Sequence, residues 1–194
     1  MPDLNKIVTL KSRYFYIPAI SITIQTMQVL MLDGQGNAVE IEQDCFPAYQ
    51  LRIDISYAKP PIWRRVLVPA NITFYDLHLL IQDLFDWDND HLHEFNVEPY
   101  GESFFGSFNR THIGMKVDPL GDPVAYADEV LDERKEILFK WLNAEGAKIE
   151  YIFDFGANWS HTIKLEKILE PEDDTTYPKL IKTKGVSPAI EEDY

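Results

Sequence analysis

"YQLRIDISYAKPPIWRRVLVPANITFYDLHLLIQDLFDWDNDHLHEF", from Tyr49 to Phe95, passes in turn through strand, bend, strand, helix and strand patterns. Tyr49 to Tyr57 alternates with period two, putting Leu51, Ile53 and Ile55 on one face and Arg52, Asp54 and Ser56 on the other, the pattern of a half-buried strand. Pro60 and Pro61 have no N–H for a central ladder, so they mark a bend before a second strand, Ile62 to Val68, and the two strands are expected to pair as a hairpin. Thr73 then stands three residues before Asp76, as in a capping box, and Phe74, Leu77, Leu80, Ile81, Leu84 and Phe85 recur at helical spacing. This helix must lay its apolar face on the sheet, with His78 at the edge of the buried stripe. In "HLHEFNVEPY" the alternation returns, and His91, His93, Phe95 and Val97 fall on one side of a strand.

N-terminal to this core, "SITIQTMQVLML", "DGQGN" and "AVEIE" read as strand, turn and strand, with "FPAYQ" as the boundary. C-terminal to it, "GESFFGSFNRTHIGMKVDPLGDP" reads as a long loop with a short strand. "DEVLDERKEILFKWLNAEG" reads as a second helix, with Val130, Leu131, Ile137, Leu138, Trp141 and Leu142 inward and Gly146 just past its end. "AKIEYIFDF" and "NWSHTIKLEKIL" are two strands joined at Gly156, and "EPEDDTTYP" begins an acidic, extended tail. The expected fold is α+β: a mixed, largely antiparallel sheet with two main helices packed on one face. Residues 1–48 form an N-terminal β-hairpin extension and residues 49–194 the main domain.

At 194 residues and 45% hydrophobic content the chain can bury a substantial core. Its single cysteine, Cys45, rules out an internal disulfide framework and fits a reducing cytoplasm. Pro18, Ser21 and Thr23 interrupt the apolar residues near the N-terminus, which speaks against a secretory signal, and no apolar run approaches the roughly 20 residues of a membrane helix. A formal charge of −14 repels a phosphate backbone at long range, so direct nucleic-acid binding is disfavoured. An acidic face could instead dock a basic protein or imitate nucleic acid.

Several motifs fail on their context. "DFG" at Asp154 lacks every other element of a kinase, and Asp86, Asp88 and Asp90 lack the Gly and Glu that complete a calcium loop, where His91 and Val97 stand instead. Cys45 lies in an acidic stretch that suppresses its thiolate, and Ser160 and His161 point to opposite faces of one strand. The sharpest constellation is metal-like: His91 and His93 from one strand face, His161 from a later strand, and Asp154 as a fourth ligand to a divalent cation. Against it stands a packing role for these histidines, since two-residue His spacing alone is weak evidence for a metal. Arg64 and Arg65 alternate across their strand, so one faces the core and needs a carboxylate, with Asp154 and Asp83 as candidates.

Taken together, "KPPIWRRVLVPANITFYDLHLLIQDLFDWDNDHLHEF", "YIFDFGANWSH" and "YPKLIKTKGVSP" resemble the plasmid pRiA4b ORF-3-like family, also labelled an insertion-element passenger protein, from about Tyr49 onward. The resemblance implies a compact α+β domain carried by plasmids, mobile elements and chromosomes, with no assigned activity. Its pattern falls on Pro61, Ile62, Trp63, Arg64, Arg65, Leu77, His78, Trp87, His91, Leu92, His93, Phe95, Tyr151, Asp154, Phe155, Gly156, Trp159 and His161. Asp86 stands where the family usually has Gly, and Ala157 where it usually has Asp.

Two readings follow. In one, Arg64, Arg65, His78, Trp87, Asp154 and Trp159 bind a small ligand, with His91, His93 and His161 as metal ligands and hydrolysis as the chemistry. In the other, the histidines form a satisfied polar network inside a non-catalytic binding or regulatory module, whose protein partner docks on the acidic surface or the N-terminal hairpin. The second is preferred, because buried polar residues are hydrogen-bonded far more often than they are catalytic.

Overall fold

A computed structural model describes residues 10–16, 23–32, 38–97, 110–116, 124, 129–171 and 176–189, with side chains from residue 46 onward. The chain divides into two compact units, Met1–Pro47 and Ala48–Tyr194. In the first, β1 (Leu10–Tyr16), β2 (Thr23–Leu32) and β3 (Ala38–Cys45) form an antiparallel sheet in the order β1-β2-β3. The expected β2–β3 hairpin is present and gains β1 as a third strand, while its turn "DGQGN" lies outside the described residues.

The second unit is built on eight strands: β4 (Ala48–Ile55), β5 (Trp63–Pro69), β6 (His93–Val97), β7 (Thr111–Gly114), β8 (Leu131–Asp132), β9 (Lys148–Phe153), β10 (Trp159–Leu169) and β11 (Lys179–Lys184). Their order is β11-β5-β4-β10-β9-β6-β7-β8, with β7–β8 parallel and every other pair antiparallel. Period two decides the faces: Leu51, Ile53, Ile149, Tyr151, Phe153, Ile163 and Leu165 are buried on one side, and Arg52, Asp54, Lys164 and Glu166 stand on the other. Within the tail expected to be extended, Lys179–Lys184 form β11, an edge strand on β5, while residues 172–175 and 190–194 lie outside the described residues.

Helix α1 (Phe74–Phe85) forms where its pattern predicts. The Asp76 N–H donates to Thr73 Oγ1 at 3.0 Å, and the Thr73 hydroxyl donates to Asp76 Oδ2 at 2.7 Å. It buries Phe74, Leu77, Ile81 and Phe85, together with His78 and Gln82, so His78 sits inside the stripe rather than at its edge.

The second helix is a correction. Among the described residues α1 is the one α-helix, so the fold is a large mixed sheet carrying a single helix rather than a sheet with two main helices on one face. The segment from Val130 forms β8, a turn at Asp132, and a short 3-10 turn at Leu138–Lys140. The reason is tertiary. The Phe74 and Tyr75 N–H groups, which no residue within α1 can satisfy, donate to Glu136 O and Glu133 O at 3.1 Å each. Leu138 N and Phe139 N donate back to Ile72 O and Ala70 O at 2.9 and 2.8 Å. A helix through these residues would forfeit those bonds, so docking against the start of α1 overrides local helical periodicity.

Candidate functional site

Between α1 and the buried face of the sheet lies a polar network set in aromatic rings. Gln82 Nε2 donates to the Tyr151 hydroxyl at 2.9 Å, and that hydroxyl lies 2.8 Å from His78 Nδ1. His78 Nε2 lies 2.6 Å from Asn89 Oδ1, and the Asn89 N–H donates to Gln82 Oε1 at 3.1 Å. Since Asn89 Oδ1 can only accept, the His78 proton sits on Nε2, and Nδ1 accepts from Tyr151. The four residues therefore close a ring of hydrogen bonds running in one direction. Asn89 reaches its place through a left-handed backbone, φ 55°.

His93 stacks on His78 with ring centroids 3.4 Å apart and planes within 4°. Its Nε2 lies 2.7 Å from Glu133 Oε2, and both side chains are buried. Burial, then the neighbouring His93, lower the His78 pKa to about 3, against a smaller opposing effect of the Asn89 hydrogen bond. Burial pushes the Tyr151 hydroxyl well above its ordinary value. Both groups are neutral at physiological pH.

His161 occupies a second, aromatic compartment. Its ring lies 5.2 Å from Phe85, 5.2 Å from Trp87 and 5.3 Å from Tyr151, and its Nδ1–H donates to Trp159 O at 2.9 Å. Burial lowers its pKa to about 4, and its Nε2 meets no hydrogen-bond partner. Trp87 stacks on Phe153 at 5.4 Å, tilts against Trp159 at 5.7 Å, and donates from Nε1 to Pro188 O at 3.1 Å.

The expected metal grouping is not assembled. β6 begins at His93, so His91 lies outside the strand on the exposed turn, with Nε2 3.5 Å from Asp90 Oδ1 and 3.9 Å from Asp154 Oδ2. His93 turns to His78 and Glu133, and His161 to its aromatic compartment. Among the described residues no group of three or more His, Cys, Asp or Glu could hold a metal ion. Asp154 shapes the β9–β10 turn instead: its Oδ1 accepts from Gly156 N and Ala157 N at 2.9 and 3.2 Å, and its own backbone is left-handed at φ 55°.

The two arginines also depart from expectation. Arg64 is buried, and it takes carbonyls where Asp154 or Asp83 was expected: Nε donates to Leu84 O at 2.8 Å, while Nη1 reaches Trp63 O, Lys184 O and Gly185 O at 3.1, 3.2 and 3.4 Å. Nη2 donates to Ser187 Oγ at 2.7 Å, and the guanidinium carbon lies 4.7 Å from the Phe85 ring centre. Burial lowers its pKa. Arg65 faces the other side of the sheet and grips Glu166 through two bonds of 2.6 and 2.8 Å.

The structure thus brings His78, His93, Trp87 and His161 into the packed interior, and leaves Trp159, His91 and Asp154 at its rim. Three network members escaped the sequence reading. Gln82 and Asn89 look like solvent-facing helix and turn residues, and Glu133 lies in a segment whose periodicity suggested a helix.

A β-sheet unit with one helix, a buried His–His–Glu–Tyr network and an arginine-pinned C-terminal strand is the arrangement that this set of motifs encodes. The family model for the plasmid pRiA4b ORF-3-like protein matches residues 47–194, and the chain belongs to that family. It is 30% identical over 140 residues to the uncharacterized protein y4hQ of Sinorhizobium fredii, a match covering 72% of this chain and 63% of that relative's length. It is also similar to the crystal structure of a protein of unknown function, MM3350 from Methanosarcina mazei Go1, with a TM-score of 0.62 and 33% identity over 74% of this chain and 72% of the other. No helix among the described residues is long and apolar enough to cross a membrane.

Proposed function

We propose that the protein is a non-catalytic binding or regulatory module of mobile-element type, working in the cytoplasm through a protein partner that docks on its acidic surface or its N-terminal unit. The carrying observation is the closed ring Gln82–Tyr151–His78–Asn89, which commits both His78 nitrogens and the Tyr151 proton to neighbours within the fold. A histidine with a pKa of about 3 is a poor general base near neutral pH, and its stacked neighbour His93 is held by Glu133. The network reads as scaffold. In this reading, a panel of ester, phosphoester and glycoside substrates gives no turnover that His78→Gln abolishes. Turnover that drops about a hundredfold in folded His78→Gln, the usual size of a lost acid–base catalyst, would show a catalytic site instead.

A further inference from the structure

The face of the large sheet opposite the buried core carries an unusual row. Strand register places Lys182 opposite Arg65, Arg65 opposite Arg52, Arg52 opposite Lys164, and Lys164 opposite Lys148. Directly paired residues project to the same face, so five cations from β11, β5, β4, β10 and β9 line up at the strand spacing, over about 19 Å. Like charges placed directly opposite each other destabilise a sheet, and this row sits in a chain of formal charge −14.

The acids nearby neutralise only part of it. Arg52 is held by Asp54 at 2.6 Å and Arg65 by Glu166 at 2.6 Å, which fixes both guanidinium groups in place. Lys148 and Lys164, side by side at the end of the row, make no ion pair among the described residues. Around them lies a cavity of about 280 Å³ lined by Arg52, Asp54, Lys148, Thr162, Lys164 and Glu166. That volume matches a small molecule.

We propose that this cavity is a binding site for a small organic phosphate of at least two negative charges. Lys148 and Lys164 supply the neutralising ammonium groups, the Thr162 hydroxyl donates a hydrogen bond, and Arg52, oriented by Asp54, closes the third side. Lysine suits the task because its ammonium acts as a point charge toward phosphate oxygens in any orientation. Asp54 and Glu166 set a limit on the other side, because they repel a ligand whose charge spreads beyond the lysine end. The site makes no use of the histidine network, so it stands or falls independently of the scaffold reading.

The test is titration of the full chain with pyrophosphate, followed by calorimetry and by backbone amide shifts. The expected result is saturable binding with the largest shifts at Lys148, Thr162 and Lys164, weakened about tenfold or more in Lys148→Gln/Lys164→Gln, as the loss of two charge-assisted contacts requires. Lys179→Gln, which removes a cation from β11 outside the row, should change affinity less than about threefold if the site is local. Without ligand the double variant should melt no lower than the parent, because it relieves opposed like charges; with pyrophosphate it should lose the ligand-induced rise in Tm. Absence of saturation, equal weakening by Lys179→Gln, or tighter binding of a short oligonucleotide than of pyrophosphate at the same amides would each overturn the proposal.

Discussion

Tyr151 is the hinge of the buried ring, accepting from Gln82 and facing His78 Nδ1. Tyr151→Phe keeps the packed ring but strands one donor and one acceptor away from water, so a loss of about 2–4 kcal/mol is expected in urea denaturation. The histidines set the acid response. His78 and His161 have folded pKa values of about 3 and about 4, below the unfolded value near 6.5, so the unfolded chain binds the extra protons. Their contribution to stability is therefore complete above pH 6.5 and falls with pH, by about 1.4 kcal/mol per unit for each histidine, until the folded pKa is reached. Denaturation midpoints from pH 7 to 4 check this, and a His161→Phe variant should lose about half of that slope. That His78 and His93 matter was legible, because both fall on apolar faces of their elements. Their stacking and the Glu133 partner were not, since neither spacing nor propensity says which carboxylate returns from a distant segment.

At the scale of elements, Arg64 ties three of them together. The last turn of α1 contains no cation, and Asp86, the left-handed residue that ends it, is an acid. Arg64 reaches across from β5 to the Leu84 carbonyl and so supplies the positive charge that the helix C-terminus favours. The same guanidinium fastens the end of β11 through Lys184 O, Gly185 O and Ser187 Oγ. Gly185 holds φ at 79°, and a β-carbon there would come within 2.9 Å of Ile62 Cγ1. Arg64→Lys cannot span these acceptors with one ammonium, and a loss of about 2–3 kcal/mol is expected. Hydrogen exchange should show β11 amides losing protection first, while β4 and β10 keep theirs. Period-two strands and the capped helix were legible because each is decided within its own segment. The false second helix was not, because its carbonyls are claimed by the start of α1, more than fifty residues earlier in sequence.

At the scale of the molecule, polarity is distributed in two places with different consequences. Inside, His78 is closed into a ring with Asn89, Gln82 and Tyr151 and stacked on His93; outside, the sheet presents a charged face on which Lys148 and Lys164 make no ion pair among the described residues. The −14 balance seen in the sequence concealed this second feature, since net charge carries no information about which strands become neighbours. The central claim is that His78 and His161 are structural, buried and neutral. Its most direct test is the ¹⁵N chemical shift of the His78 imidazole followed from pH 7.5 to 5. The account predicts a neutral ring, protonated at Nε2 and unresponsive throughout that range; a ring that titrates near 6.5, or carries its proton on Nδ1, would contradict it.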